Sequence, residues 1–520
     1  MSFLFKKICI ASDHAGFKLK ETIKDHLINK HVSIFDLGPY EEKSVDYEVL
    51  PFLWSDKKKI NEAFVFCDSI YLRVLEIIVP RLNKSLSANY TKEYWEKIIG
   101  PWLYQYVQII FDKYKSIKEA SKKYPDLQVL TISDKDFQTI FRYDSDYNDD
   151  IFNLQLYSIV AKYLDIKTIT HDLEIKNNNN NIFSKKLSFK GLLLFKITSI
   201  LNYLFSKRKI FISNPYFKNK SLISLIFLVW FSKFSLIYNS FYKGYKFFYK
   251  KNSISRETLS EFSQNEDEFT NLVIGSFKFN FPALYLEMHD DFREHIQSYS
   301  LINIDMVFSS TGLWSSEEFK FLIADQETKN DSNFKIVYAQ HGGNYGTDKN
   351  SMPEKIERRL SDIFLTYGWS GTGTRVFLQQ DISKTRRKQT IPVLLVLTAP
   401  SRHFVMFQHI SSSSRAIRNL SNTIGFLNKI DSDKSILVRD HPGMERSGWH
   451  EKKSLLKEVP LIKFSEASDF YKQINSCRIV VFNHMHTAYL ETLAANIPTI
   501  IFIPWDDYDF VDSAGLLIEQ

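Results

Sequence analysis

The sequence is poor in cysteine and glycine and has no long uncharged apolar run. Cys9, Cys67 and Cys477 are the three cysteines in 520 residues, too widely spaced for a disulfide framework or a clustered zinc site and suited to a reducing compartment. The 17 glycines include neither a GxxxxGKS/T phosphate loop nor the spaced glycines of a dinucleotide fingerprint. HExxH and GxSxG are absent as well. No metal and no bound cofactor are therefore expected. The start, Met1 to Lys7, leads into a strand and lacks the apolar core and cleavage site of a secretory signal, which points to the cytoplasm.

A hydrophobic share of 44% and an aromatic share of 15% are ample for folded cores, and the length calls for two or three domains. A net charge of +7 is modest, and no nucleic-acid motif accompanies it. Residues 222–238 are interrupted by Ser232-Lys233 and fall short of the roughly 20 apolar residues of a span. They read as a buried or amphipathic helix. The Lys243, Lys246, Lys250 and Lys251 that follow, among Tyr and Phe, suit peripheral contact with the cytoplasmic face of the inner membrane.

Along the chain, residues 7–47 read as strand, helix (17–29) and strand. Ser55-Asp56 resembles a helix cap, and helices are expected from Ile60 and from Thr91. The second carries Trp95, Trp102, Tyr106 and Tyr114 on one face, with Gly100-Pro101 as a kink; these aromatics read as core. The polyasparagine run 177–181 reads as an exposed loop. Short β-type runs then alternate with helices. The expected organisation is α/β: a first segment at 1–47, an acceptor-side domain with long helices at 48–370, a linker at 371–390, and a nucleotide-binding domain of Rossmann type at 391–520.

Three loops carry the candidate chemistry. Strand 478–482 leads through Asn483–His486 into a helix starting near Thr487, a unit that aims free backbone N–H groups at an anion. His486 and Thr487 can add donors, and Glu491 can accept from ribose hydroxyls. Strand 435–439 ends in Arg439-Asp440-His441-Pro442, where Arg439 and His441 are candidate phosphate or nucleobase contacts; alone, His441 is more often a satisfied loop histidine. Strand 334–339 ends in Gln340-His341-Gly342-Gly343, facing Ser309-Ser310-Thr311-Gly312. There His341 is the candidate base, and Thr311, Gly312, Gly342 and Gly343 form an acceptor or phosphate loop. A tight turn is the bland alternative. The pairs Asp149-Asp150, Asp290-Asp291 and Asp506-Asp507 could each bind a cation, but paired acids are usually a solvated face.

Residues 49–58 (VLPFLWSDKK), 89–103 (NYTKEYWEKIIGPWL), 281–287 (FPALYLE), 339–346 (AQHGGNYG) and 489–502 (YLETLAANIPTIIF) resemble the LIC12162-type family of transferases in bacterial O-antigen and surface-carbohydrate clusters. The resemblance implies a GT-B-like fold, two Rossmann-type domains facing a cleft, and a metal-independent glycosyltransferase. Such an enzyme takes a nucleotide-sugar donor and a saccharide or lipid-linked acceptor. Arg439 to Pro442 is similar to the His-Pro motif of polysialyltransferases and CDP-glycerol glycerophosphotransferases, implying a cytidine-nucleotide donor. The stop at Gln520 comes before the closing helices usual in GT-B folds, so a shortened C-terminal domain is expected.

Residues 7–47 (IASDHAGFKLK, then DLG and SVDY) are similar to the start of ribose-5-phosphate isomerase B, which implies a sugar-phosphate contact at Asp13 and His14. The rest of that enzyme's site does not follow, and the segment is expected to supply the first βαβ unit of the N-terminal domain. Isomerase activity and a catalytically inactive sugar-nucleotide-binding protein are the competing readings.

Overall fold

Asp56 and Thr91 start the two long helices. Asp56 accepts the Lys58 N–H at 2.9 Å ahead of α1 (Lys57–Ser85). The Thr91 hydroxyl accepts the Tyr94 N–H at 3.2 Å ahead of α2 (Lys92–Lys123). Each side chain satisfies a donor that the first helical turn leaves open. In the computed structural model, residues 7–10, 33–36, 52–142, 147, 149–171, 182–185, 208–215, 234–238, 245–248, 254–297, 304–329, 333–369, 389–401, 403–408, 413–430, 436–443, 451–505, 508–512 and 514 are described.

The expected apolar face of α2 proves too narrow a description. Every residue from Tyr94 to Tyr114 is buried, and the helix continues through Pro101. The helix is a central rod, wrapped by α1, α3 (Asp150–Tyr163), α4 (Glu268–Asn280) and α5 (Glu317–Glu327). Trp95 and Trp102 have no exposed surface, and Trp102 stacks on Tyr106 with ring centroids 5.1 Å apart. These aromatics are core, as their spacing suggested.

The strands are β1 (Lys7–Ile10), β2 (Ser33–Asp36), β3 (Gln128–Ile132), β4 (Lys167–His171), β5 (Ile182–Lys185), β6 (Arg208–Ser213), β7 (Phe234–Tyr238), β8 (Tyr245–Phe248), β9 (Ile304–Ser309), β10 (Lys335–Ala339), β11 (Ile363–Leu365), β12 (Ile391–Val396), β13 (Ile436–Arg439), β14 (Lys463–Phe464), β15 (Cys477–Phe482) and β16 (Thr499–Ile501). They build a sheet ordered β2-β1-β3-β4, a second ordered β11-β10-β9-β6-β7 and a third ordered β14-β13-β12-β15-β16. All pairings within these three are parallel. A β5-β8 pair is antiparallel. The α/β class holds, and residues 7–10 and 33–36 do enter a parallel sheet. That sheet, however, is completed by β3 and β4, separately from the one that carries His341.

Residues 234–238 form β7 beside β6, where a helix was expected. The Phe-Ser-Leu-Ile-Tyr run has strand propensity, and pairing with β6 outweighs the helical pattern read across it. The expected helix at 17–29, residues 222–233, Asp13, His14, the 177–181 run, residues 371–388 and Asp506-Asp507 lie outside the described residues. Among the described residues no helix is long and apolar enough to cross a membrane.

The third sheet is covered on both faces. Leu394, Val480 and Phe482 pack to one side, and Leu395, Val438 and Val481 to the other, as alternation along buried parallel strands requires. The loop after β12 ties this sheet to the helical body. Val405 and Phe407 are buried in the first core, with the Phe407 ring edge-on to Trp54 at 4.7 Å. Gln105 donates to the Val405 carbonyl at 3.2 Å, and Gln108 accepts the Phe407 N–H at 2.8 Å. Asp149 caps α3 through the Phe152 N–H, while Asp150 pairs with His403 at 2.9 Å. These acids are structural.

Candidate functional site

Parallel pairing of β9 with β10 places the two loops after them side by side at the carboxyl edge of the second sheet, where open α/β sheets hold ligands. His341 opens the loop after β10. Its side chain keeps 24% of its surface exposed, enough for a substrate to touch. The surroundings are dry enough that burial pushes its pKa down to about 4, against a partial offset from the Ser310 carbonyl. At neutral pH the ring is an uncharged imidazole, the state a general base requires.

Two residues of this loop to which sequence reasoning gave no role of their own shape it. Gln340 is buried; its amide donates to the Gly342 carbonyl at 2.7 Å and accepts from the Tyr367 N–H and the Trp369 indole. Tyr345 lies beneath the imidazole, its hydroxyl 3.1 Å from His341 Nδ1. Behind both stands Glu357, on α6 (Met352–Arg359), whose Oε1 is 3.4 Å from the same nitrogen. Nothing local in the sequence ties Glu357 to His341; only the fold of α6 back under the loop does.

The glycines have packing reasons. A β-carbon on Gly312 would meet the Ser309 hydroxyl at 2.6 Å and the Phe319 ring at 2.8 Å. Gly342 is 3.1 Å, by the same measure, from the Tyr345 ring. Gly343 is pressed against the His486 carbonyl and the Thr487 N–H. They were expected to admit a ligand; what approaches them here is protein. The Thr311 carbonyl accepts from the Trp314 and Ser315 backbone N–H groups, which holds the short turn at Gly312.

The Gly343 contact brings the two halves of the candidate site together. α7 (Ser413–Lys429), α8 (Glu451–Glu458) and α9 (Thr487–Ala494) flank the third sheet. His486 is the N-cap of α9 and makes no side-chain cap bond, and Gly343 lies against the first backbone nitrogen of that helix, at Thr487. Asn483 donates to Thr423 on α7 at 3.1 Å and bonds His484 at 3.0 Å, fixing the β15–α9 loop. Farther along, Lys349 N–H donates to the Asp509 carbonyl at 3.0 Å and Val511 N–H to Thr347 at 2.9 Å, so residues 508–512 brace the same loop.

The remaining candidates stand farther from this junction or are already engaged. Arg439 donates to the Ala467 carbonyl at 2.7 Å and to Gln473 at 2.5 Å, with its guanidinium over Phe470; it splints the segment between β14 and β15 instead of presenting a free fork. His441 is exposed, and its Nδ1 accepts the Gly443 N–H at 3.0 Å. That bond assigns the ring proton to Nε2, a donor facing solvent. Glu491 accepts the Tyr471 hydroxyl at 2.8 Å.

Comparison with known proteins gives partial and whole-length matches. The N-terminal part is 47% identical over 62 residues to a Mycoplasma genitalium protein named "Probable ribose-5-phosphate isomerase B", covering 12% of this chain and 39% of that protein. It is 48% identical over 40 residues to a Rickettsia bellii protein named "Putative sugar phosphate isomerase", covering 8% and 28% respectively. The chain thus spans less than two-fifths of these relatives' length. The crystal structure of Acinetobacter baumannii MurG overlaps 58% of this chain and 81% of its own at 7% identity, with a TM-score of 0.27. The LIC12162 family transferase pattern matches residues 24–520, a span that includes the His341 loop and α9; the chain belongs to the LIC12162 family of transferases.

Proposed function

We propose that this transferase moves a sugar from a nucleotide-activated donor to a hydroxyl of a saccharide or lipid-linked acceptor in surface-polysaccharide or O-antigen synthesis, in a GT-B-like manner. The observation that carries the reading is the apposition of His341, an uncharged imidazole at the end of β10, and the uncapped start of α9 at Gly343 and His486. Base and anion site are the two groups such a transfer needs. His341 takes the acceptor hydroxyl proton while the oxygen bonds the anomeric carbon. The carbon–phosphate oxygen bond breaks, and the nucleotide leaves carrying the negative charge toward the Thr487 helix start. His486 and Thr487 add donors there, and Glu491 and His441 are the proposed outer contacts to ribose and nucleobase. The work would take place at the cytoplasmic face of the inner membrane, without a metal ion.

Thermal-shift measurements with UDP-, GDP-, dTDP-, CDP- and CMP-sugars test the reading, since a bound donor raises Tm by linkage. If no donor raises Tm, the proposal fails. A second reading, isomerisation of ribose 5-phosphate through Asp13 and His14, is favoured by the 62-residue match alone. Conversion of ribose 5-phosphate by the purified protein would establish it.

A further inference from the structure

The side chains behind His341 form a hydrogen-bonded chain whose direction is fixed from its far end. Glu357 has no exposed surface. Its Oε1 accepts from the Trp314 indole N–H and from the Tyr345 hydroxyl at 3.0 Å. Its Oε2 has no hydrogen-bond partner. Burial, reinforced by Glu354, holds the carboxyl well above the usual range, against the Trp314 and Tyr345 donors and Arg358. Glu354 and Arg358 are themselves paired at 2.8 Å. Oε1 of Glu357 is thus the acceptor that both donors share.

An indole can only donate, so the atom it faces must accept. Oε1 therefore accepts, and the Tyr345 hydroxyl proton points toward it. The Tyr345 oxygen then turns a lone pair to His341 Nδ1, 3.1 Å away, and that nitrogen must carry hydrogen to complete the chain. With Nδ1 protonated, the neutral ring's own lone pair lies on Nε2.

We infer that Tyr345 and Glu357, oriented by Trp314, are positioning residues that hold His341 in its Nδ1–H tautomer and so leave Nε2 as the basic atom. This rests on the reading of His341 as the base, but the tautomer itself is independent of it. Of the two ring nitrogens the Tyr345 oxygen lies nearer Nδ1, at 3.1 Å, than Nε2, at 3.5 Å.

Nitrogen-15 spectra of the full chain labelled at histidine, with His341 identified by its loss in His341→Gln, read the tautomer without any substrate. The expected result is a single Nδ1–H form in the parent. Tyr345→Phe, which keeps the ring stacked on Phe364 but removes the hydroxyl, should populate the Nε2–H form. Glu357→Gln keeps an acceptor opposite Trp314 and should retain the parent tautomer. An Nε2–H form in the parent, or a tautomer unmoved by Tyr345→Phe, would overturn the inference. With a donor and acceptor in hand, Tyr345→Phe should lower kcat about 10-fold or more at unchanged donor KM. A parent that binds no donor refutes the transferase reading and leaves the spectra to judge the tautomer.

Discussion

A β-carbon on Gly343 would lie 2.4 Å from the His486 carbonyl oxygen and 2.9 Å from the Thr487 nitrogen. The obstacle is backbone on both counts, so it cannot swing aside as a side-chain tip would. The loop that carries His341 and the first turn of α9 are therefore held at contact by the absence of one side chain.

Gly343→Ala should push the two apart. The expected cost is about 1–3 kcal/mol of stability, as for other overpacked sites, together with loss of the donor-induced Tm shift. Gly425→Ala is the control: it lies within α7 with open space where its β-carbon would go, and should stabilise by about 0.5–1 kcal/mol. Calorimetry of both variants with and without donor reads the contrast.

His341→Ala should reduce transfer by about 10²–10⁴-fold and leave the donor's Tm shift intact. Loss of the shift instead would assign His341 to donor binding.

The pH dependence follows from the depressed imidazole. With a pKa of about 4, the base stays deprotonated through mild acid, so kcat/KM should hold from pH 7 to about 5 and fall only near 4. Stability carries the same signature. A histidine whose folded pKa lies below its unfolded value of 6.5 favours the native state fully above 6.5 and loses that contribution as pH drops toward 4, by about 3 kcal/mol over the window. Comparing acid unfolding of the parent with that of His341→Gln should show the flatter curve in the variant.

Glu451 titrates in the opposite sense. It is 5% exposed, and burial followed by the nearby Asp440 raises its pKa to about 8. One of its oxygens lacks a hydrogen-bond partner. The native state holds this acid protonated while the unfolded chain ionises it above 4.5, so stability declines as pH rises through that interval. Glu451→Gln should stabilise the protein by about 3 kcal/mol at pH 7 and have no effect near pH 4.5, as measured by denaturant midpoints.

Legibility in the sequence tracked the range of the interactions. The caps at Asp56 and Thr91 bond within three residues of themselves, and the buried runs of β10, β12 and β15 read directly as strands. The rod-like burial of α2 was not legible, because Glu96, Gln105, Gln108, Asp112 and Lys113 look like a solvated face until their partners arrive from elsewhere. Lys113 bonds Asp112, and Asp112 accepts from Trp54, while both glutamines serve residues near 405. β7 was misread for a similar reason: its partner β6 decides it.

The sequence by itself determined that the chain is α/β, that His341 follows a strand, and that a helix begins near Thr487, since periodicity and turn residues act over a few positions. Tertiary structure alone decided that these two meet at Gly343. It alone set Tyr345, Glu357 and Trp314 behind the imidazole and gave Arg439 to the segment between β14 and β15. Apart from Tyr345, four positions from His341, those relations join residues 16 or more positions apart in sequence, and at such range only packing of the assembled sheets and helices chooses which groups share a dry site.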